Sequence, residues 1–67
     1  MEGKVKWFDT KKGYGFISYE EQEEIFVHFT SIEQEGFKNL NENDSVMFEI
    51  SEGIRGLQAS HVQVIKN

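Results

Sequence analysis

The sequence predicts an all-β fold, five short antiparallel strands closed into a small barrel, and three observations carry that prediction. Apolar residues recur with a two-residue period, and β-branched and aromatic side chains fill that period. Glycine-containing or polar turns interrupt it at short intervals, and no stretch supports a substantial helix. Five such strands cannot remain a flat sheet exposed on both faces; closure covers the core and limits the exposed edges.

The elements follow in order. Lys4-Val5-Lys6-Trp7-Phe8 reads as the first strand and Asp9-Thr10-Lys11-Lys12-Gly13 as a turn, with Gly13 free to take positive φ. Residues 14–19 form the second strand. The acidic run Glu20-Glu21-Gln22-Glu23-Glu24 reads as a solvated loop, and Ile25-Phe26-Val27-His28-Phe29 as the third strand. In the irregular stretch 30–44, Thr30 followed by Glu33 fits a capping box and predicts a single helical turn. Residues 45–52 alternate, with Val46, Phe48 and Ile50 on one side and Met47, Glu49 and Ser51 on the other. Gly53-Ile54-Arg55-Gly56 makes a turn, and residues 58–65 the fifth strand.

Sixty-seven residues read as one domain, 1–67, close to the lower size limit for independent folding. Without cysteine there is no disulfide and no thiolate metal ligand. No apolar run approaches the roughly 20 residues of a membrane span, and the first residues lack the apolar centre of a signal peptide. A soluble, cytoplasmic monomer is expected. The net charge of −5 is unevenly spread. Residues 1–17 carry four lysines against two acids, whereas residues 18–67 carry three cations against ten acids. Polyanion affinity in such a chain must rest on more than charge.

Strand parity identifies that second contribution. Seven of the nine aromatic residues precede residue 30, and the default expectation is that they form the core. Side chains alternate faces along a strand, so with Ile17, Ile25 and Val27 on one face, Tyr14, Phe16, Phe26 and His28 fall on the other. Val5, Ile17, Ile25, Val27, Ile32, Leu40, Val46, Phe48, Ile50, Val62 and Val64 already suffice for a small interior. Turning the rings inward would send Ile17, Ile25 and Val27 to solvent. The alternation therefore predicts an external aromatic patch, costly on a small domain unless it binds something. Strict alternation leaves Trp7 and Phe8 undecided: Trp7 joins the patch only if the first strand bends or bulges. Rings flanked by cations suit unpaired bases, whose stacking is worth roughly 1–3 kcal/mol each. Lys6, Lys12 and Arg55 then have only a few phosphates to offset.

Two segments resemble known motifs. Lys12-Gly13-Tyr14-Gly15-Phe16-Ile17 is similar to the first ribonucleoprotein motif of the cold-shock domain, and Ile25-Phe26-Val27-His28-Phe29 to the second. Gly3-Lys4-Val5-Lys6-Trp7-Phe8, Glu35-Gly36-Phe37-Lys38, and the stretch from Glu52-Gly53 through Arg55-Gly56 to Gln58-Ala59 extend the resemblance over essentially the whole chain. It resembles a free-standing bacterial cold-shock protein rather than a domain cut from a larger eukaryotic Y-box protein. The resemblance implies a five-stranded antiparallel barrel of the oligonucleotide-binding (OB) type. It implies binding of single-stranded RNA and DNA, preferably pyrimidine-rich, and service as an RNA chaperone that influences transcription termination and translation. By position it assigns stacking to Trp7, Tyr14, Phe16, Phe26, His28, Phe29 and Phe37, and contacts with phosphates or base edges to Lys6, Lys12, Arg55 and Gln58. It also places Trp7 and Phe8 at the binding surface. Three positions depart from the family pattern: Tyr14 for Phe, Asp9 for Asn, and Leu57 for the proline before Gln58.

Other chemistries find little support. Gly13-x-Gly15 lacks the third glycine of a dinucleotide fingerprint and leads into a strand. His28 and His61 stand 33 residues apart without cysteine, a poor metal-ligand set. No Ser-His-Asp spacing points to a nucleophile, so neither an enzyme nor a cofactor is expected. The competing reading is a barrel whose aromatic groove takes a proline-rich peptide; the lysines beside the rings favour a polyanion instead.

Overall fold

The computed structural model describes residues 1–34 and 39–65. Strands β1 (Glu2–Asp9), β2 (Tyr14–Tyr19), β3 (Glu23–His28), β4 (Ser45–Gly53) and β5 (Gly56–Val64) close into a barrel in the order β1-β2-β3-β5-β4. The β1–β2, β2–β3, β1–β4 and β4–β5 ladders are antiparallel. The β3–β5 seam departs from the all-antiparallel expectation. It is parallel, with Phe26 opposite Gln58. The chain after β3 tightens this seam, because Ile32 bridges Val62 in parallel and Glu33 N–H donates to the Val62 carbonyl at 2.8 Å.

The interior is built from Val5, Ile17, Ile25, Val27, Ile32, Leu40, Val46, Phe48, Ala59 and Val62, with Phe8, Tyr19 and Val64 packed against it. Two residues assigned to the core from alternation differ. Val64 is half-buried, and Ile50 is 36% exposed. β1 pairs with β4 only over Ser45–Met47, so the distal half of the β4–β5 hairpin projects past the closed barrel and Ile50 has no β1 partner to cover it. Ala59 takes the interior position instead. The predicted helical turn is a 3₁₀ turn over Phe29–Ser31, capped by His28 rather than by Thr30. Ile32 is already extended where it bridges Val62, which ends the turn.

Two register shifts decide which side chains face outward. In β1 an extra residue lies between Val5, opposite Ile17, and Trp7, opposite Phe16. A second shift, between Met47 and Glu49 of β4, sets the two positions Val62 and His61 of β5 against the single Phe48. His61 there has φ +49°, a left-handed value that histidine tolerates better than most side chains. A bulge moves everything beyond it to the other face. Thus Ala59 and Val62, three residues apart, are both buried.

Candidate nucleic-acid interface

The outward face of β2 and β3 is built in rows. Tyr14 lies opposite His28, Phe16 opposite Phe26, and Ser18 opposite Glu24. Successive rows are about 7 Å apart, two residues along each strand. The alternation that buries Ile17, Ile25 and Val27 fixes this arrangement, as parity predicts.

The β1 bulge supplies the rest. After it, Trp7 faces outward and is 38% exposed, with its ring 5.5 Å from Phe16 and 5.9 Å from Tyr14. Phe26 closes the cluster, 5.7 Å from Tyr14 and 5.9 Å from Phe16. The rings meet at tilted or edge-on angles, the geometry aromatic pairs prefer. Gly15 permits the approach of β1. A Cβ at that position would lie 2.2 Å from the Trp7 carbonyl oxygen and 2.7 Å from the Phe8 Cα. Only glycine lets the bulged strand settle this closely onto β2.

At the upper edge, His28 and Phe29 are in ring contact at 4.6 Å. The His28 Nδ1 lies 3.0 Å from the Thr30 hydroxyl and also faces the Thr30 amide. Phe29 is 42% exposed. It is anchored by its amide donating to the Gly13 carbonyl at 2.8 Å and by its ring lying over Gly13, where a Cβ would meet Cδ1 at 2.7 Å. Gly13, at φ +83°, ends the β1–β2 turn. Within that turn the Asp9 Oδ1 accepts from the amides of Lys11 (2.9 Å) and Lys12 (3.0 Å). One oxygen performs this role, so the departure to Asp at position 9 leaves the turn intact. Lys12 itself is exposed beside the platform.

The remaining predicted residues are distributed as follows. Gln58 stands next to Phe26 across the β3–β5 seam, its side chain against Gly53. Arg55 is exposed in the β4–β5 turn, between the fully exposed Ile54 and Gly56 at φ +109°. Phe8 is half-buried against the core, on the side opposite the rings. Phe37, with its Glu35-Gly36-Phe37-Lys38 motif, lies outside the described residues. Lys6 faces outward, but its ammonium is paired with the Glu24 carboxylate at 2.5 Å.

Glu24 is the residue of this face that the sequence reading missed. Assigned to a solvated loop, it lies inside β3, two residues before Phe26 and on the same side. The period that identified Phe26 and His28, continued one step back, would have placed it.

A second polar cluster sits away from the rings. Glu33 Oε2 lies 2.6 Å from His61 Nδ1, and Gln63 Nε2 donates to Glu33 Oε1 at 2.9 Å. The hydrogen bond from His61 and then that from Gln63 lower the Glu33 pKa below its ordinary value. The same contact with Glu33, aided by its charge and that of Glu49, raises the His61 pKa. The capping-box glutamate is thus used to brace the chain after β3 against β5. Among the described residues no group of three or more histidine or carboxylate side chains gathers as a metal site, and no helix is long and apolar enough to cross a membrane.

A closed five-stranded barrel with a half-exposed ring platform on one wall, flanked by a lysine-bearing turn, defines an oligonucleotide-binding type of module. The model of the 'Cold-shock' DNA-binding domain matches residues 1–65. The chain belongs to the cold-shock domain family, a nucleic-acid-binding rather than an enzymatic family. It is 59% identical over 66 residues to a cold shock-like protein of Thermotoga maritima, covering 98% of this chain and 100% of that relative. To the cold shock protein CspD of Bacillus subtilis it is 58% identical over 62 residues, covering 92% of this chain and 94% of that one. Among solved structures, drosophila Unr CSD456 superposes with a TM-score of 0.78 at 26% identity over 97% of this chain. The match spans about a quarter (26%) of that longer protein.

Proposed function

We propose that this protein binds single-stranded RNA and DNA by stacking unpaired bases on Trp7, Tyr14, Phe16, Phe26, His28 and Phe29. Lys12, Arg55 and Gln58 would contact phosphates and base edges at the margin, and the family resemblance adds Phe37 as a further stacking residue. The observation that carries the reading is the contiguous, half-exposed cluster of Trp7, Tyr14, Phe16 and Phe26 on a wall whose other side is a complete apolar core. Every base has a π-face, so such a platform tolerates many sequences. The preference for pyrimidine-rich strands rests on the family resemblance.

Binding of this kind accounts for RNA-chaperone activity by mass action. A protein that binds only the unpaired form destabilises a stem by about 2.7 kcal/mol when present at 100 times its Kd. That equals about two base-pair steps at roughly 1.4 kcal/mol each. The protein thereby melts marginal stems and leaves long duplexes alone, an activity suited to transcripts in the cytoplasm and one that a monomer can perform.

The test compares one oligonucleotide as a single strand and in its matched duplex. The single strand is expected to bind at least tenfold more tightly, because paired bases offer no free face to the rings. Equal affinities would overturn the reading.

A further inference from the structure

The third row of the outward face differs in chemistry from the two ring rows above it. It consists of Ser18 and Glu24, and Lys6 of β1 reaches across β2 to meet the Glu24 carboxylate at 2.5 Å. Lys6 lies inside the β1 bulge, immediately before Trp7, so this ion pair borders the ring cluster. Both side chains are exposed, and the pair is accessible to anything bound on the rings. Lys4, Lys11, Lys12 and Arg55 have no ion-pair partner among the described residues. Lys6 is the lysine next to the indole, and it is the cation already paired within the protein.

We propose that Glu24 is an intramolecular competitor for Lys6, occupying the ammonium that a backbone phosphate would otherwise take, and that it thereby limits both the affinity and the salt dependence of strand binding. This inference rests on the single-strand reading above. A phosphate that reaches Lys6 must displace the Glu24 carboxylate, which stays beside the strand as an unpaired anion. The Lys6–Glu24 couple then contributes almost no net charge to binding. Removing the Glu24 charge releases one full positive charge at the edge of the platform. The device biases the face toward stacking, which needs exposed bases, and against phosphate contacts, which any duplex provides.

The test is a double-mutant cycle on the whole chain with Glu24→Gln, Lys6→Gln and the double variant, titrated with a short oligothymidine at several salt concentrations. Thermal unfolding verifies that each variant is folded. Glu24→Gln is expected to tighten binding about two- to five-fold at low salt, the scale of one exposed ion pair. It should also steepen the slope of log K against log salt by up to about 0.7, one additional neutralised phosphate. Lys6→Gln alone should weaken binding by a similar factor, because it leaves the Glu24 carboxylate uncompensated, and the double variant should bind about as the wild type does. Glu23→Gln, which removes the neighbouring charge from the other face of β3, should leave the slope unchanged. Unchanged or weaker binding by Glu24→Gln would overturn the proposal, as would a double variant that binds as tightly as Glu24→Gln alone, or a gain matched by Glu23→Gln. Failure of the folded wild-type protein to bind oligothymidine at all is a distinct outcome, and it would remove the single-strand reading itself.

Discussion

The four central rings touch one another and sit on strands whose inward side chains are buried, so their positions are set by the core. Phe26 contacts Tyr14 and Phe16 and lies next to Gln58. Phe26→Ala removes a stacking surface while leaving Ile25 and Val27 in place. A loss of roughly 1–3 kcal/mol of base stacking corresponds to a single-strand Kd raised about 5- to 150-fold, with a folded protein in the thermal melt. Affinity retained by that folded variant would contradict stacking on Phe26. Gly15 gives the opposite outcome. A methyl group there meets backbone atoms of Trp7 and Phe8, which no rotamer change can relieve. Overpacking of this kind costs about 1–3 kcal/mol, and in a domain of this size each kcal/mol lowers Tm by about 4–8 °C. Gly15→Ala should therefore lower Tm by several degrees; an unchanged Tm would show that β1 can move away from β2.

At the scale of elements, β2 and β3 were legible in the sequence because regular alternation carries their information. Tyr14, Phe16, Phe26 and His28 are where parity puts them. Both bulges were not legible. Nothing in Val5-Lys6-Trp7 marks an inserted residue, and the pairing that reveals it involves β2, which is distant in sequence. Residue parity therefore left Trp7 and Phe8 open, and the bulge separates them, one to the platform and one to the core. The His61 bulge equally hid Ala59 as a core residue and the role of Glu33, whose partners lie 28 and 30 residues further along.

That brace makes a prediction about pH. His61 has a raised pKa in the fold, so its contribution is complete below its unfolded value, about 6.5, and disappears as pH rises through the higher folded value. Glu33 has a lowered pKa, so its contribution is complete above its unfolded value, about 4.3, and disappears as pH falls through the lower folded value. The pair should stabilise most between about pH 4.5 and 6.5. His61→Asn keeps a residue that tolerates the left-handed backbone. The Tm difference between wild type and this variant should be largest near pH 5.5 and shrink toward pH 9. A difference independent of pH would mean that the bulge geometry, and not the Glu33 contact, accounts for the effect.

For the whole molecule, an acidic protein that binds a polyanion is reasonable once its charges are placed. The cations gather in the first quarter of the chain, beside the rings, and many of the acids lie on turns and strand ends elsewhere. With Lys6 held by Glu24, Lys4, Lys11, Lys12 and Arg55 remain for phosphate contacts among the described residues. At about 0.7 per neutralised phosphate on a single strand, these four set a salt slope no steeper than about 3. Barrel closure and aromatic placement were readable from 67 residues because a small barrel has one inside and one outside. The parallel β3–β5 seam and the overhanging hairpin, which exposes Ile50, depend on strand ends that alternation does not fix.

The most direct test of stacking-led binding follows the fluorescence of Trp7, the only tryptophan, during titration with a short oligothymidine at low and high salt. Strong, saturable quenching is expected, with a log–log slope against salt no steeper than about 3. No quenching of the folded protein, or a much steeper slope, would contradict stacking-led binding.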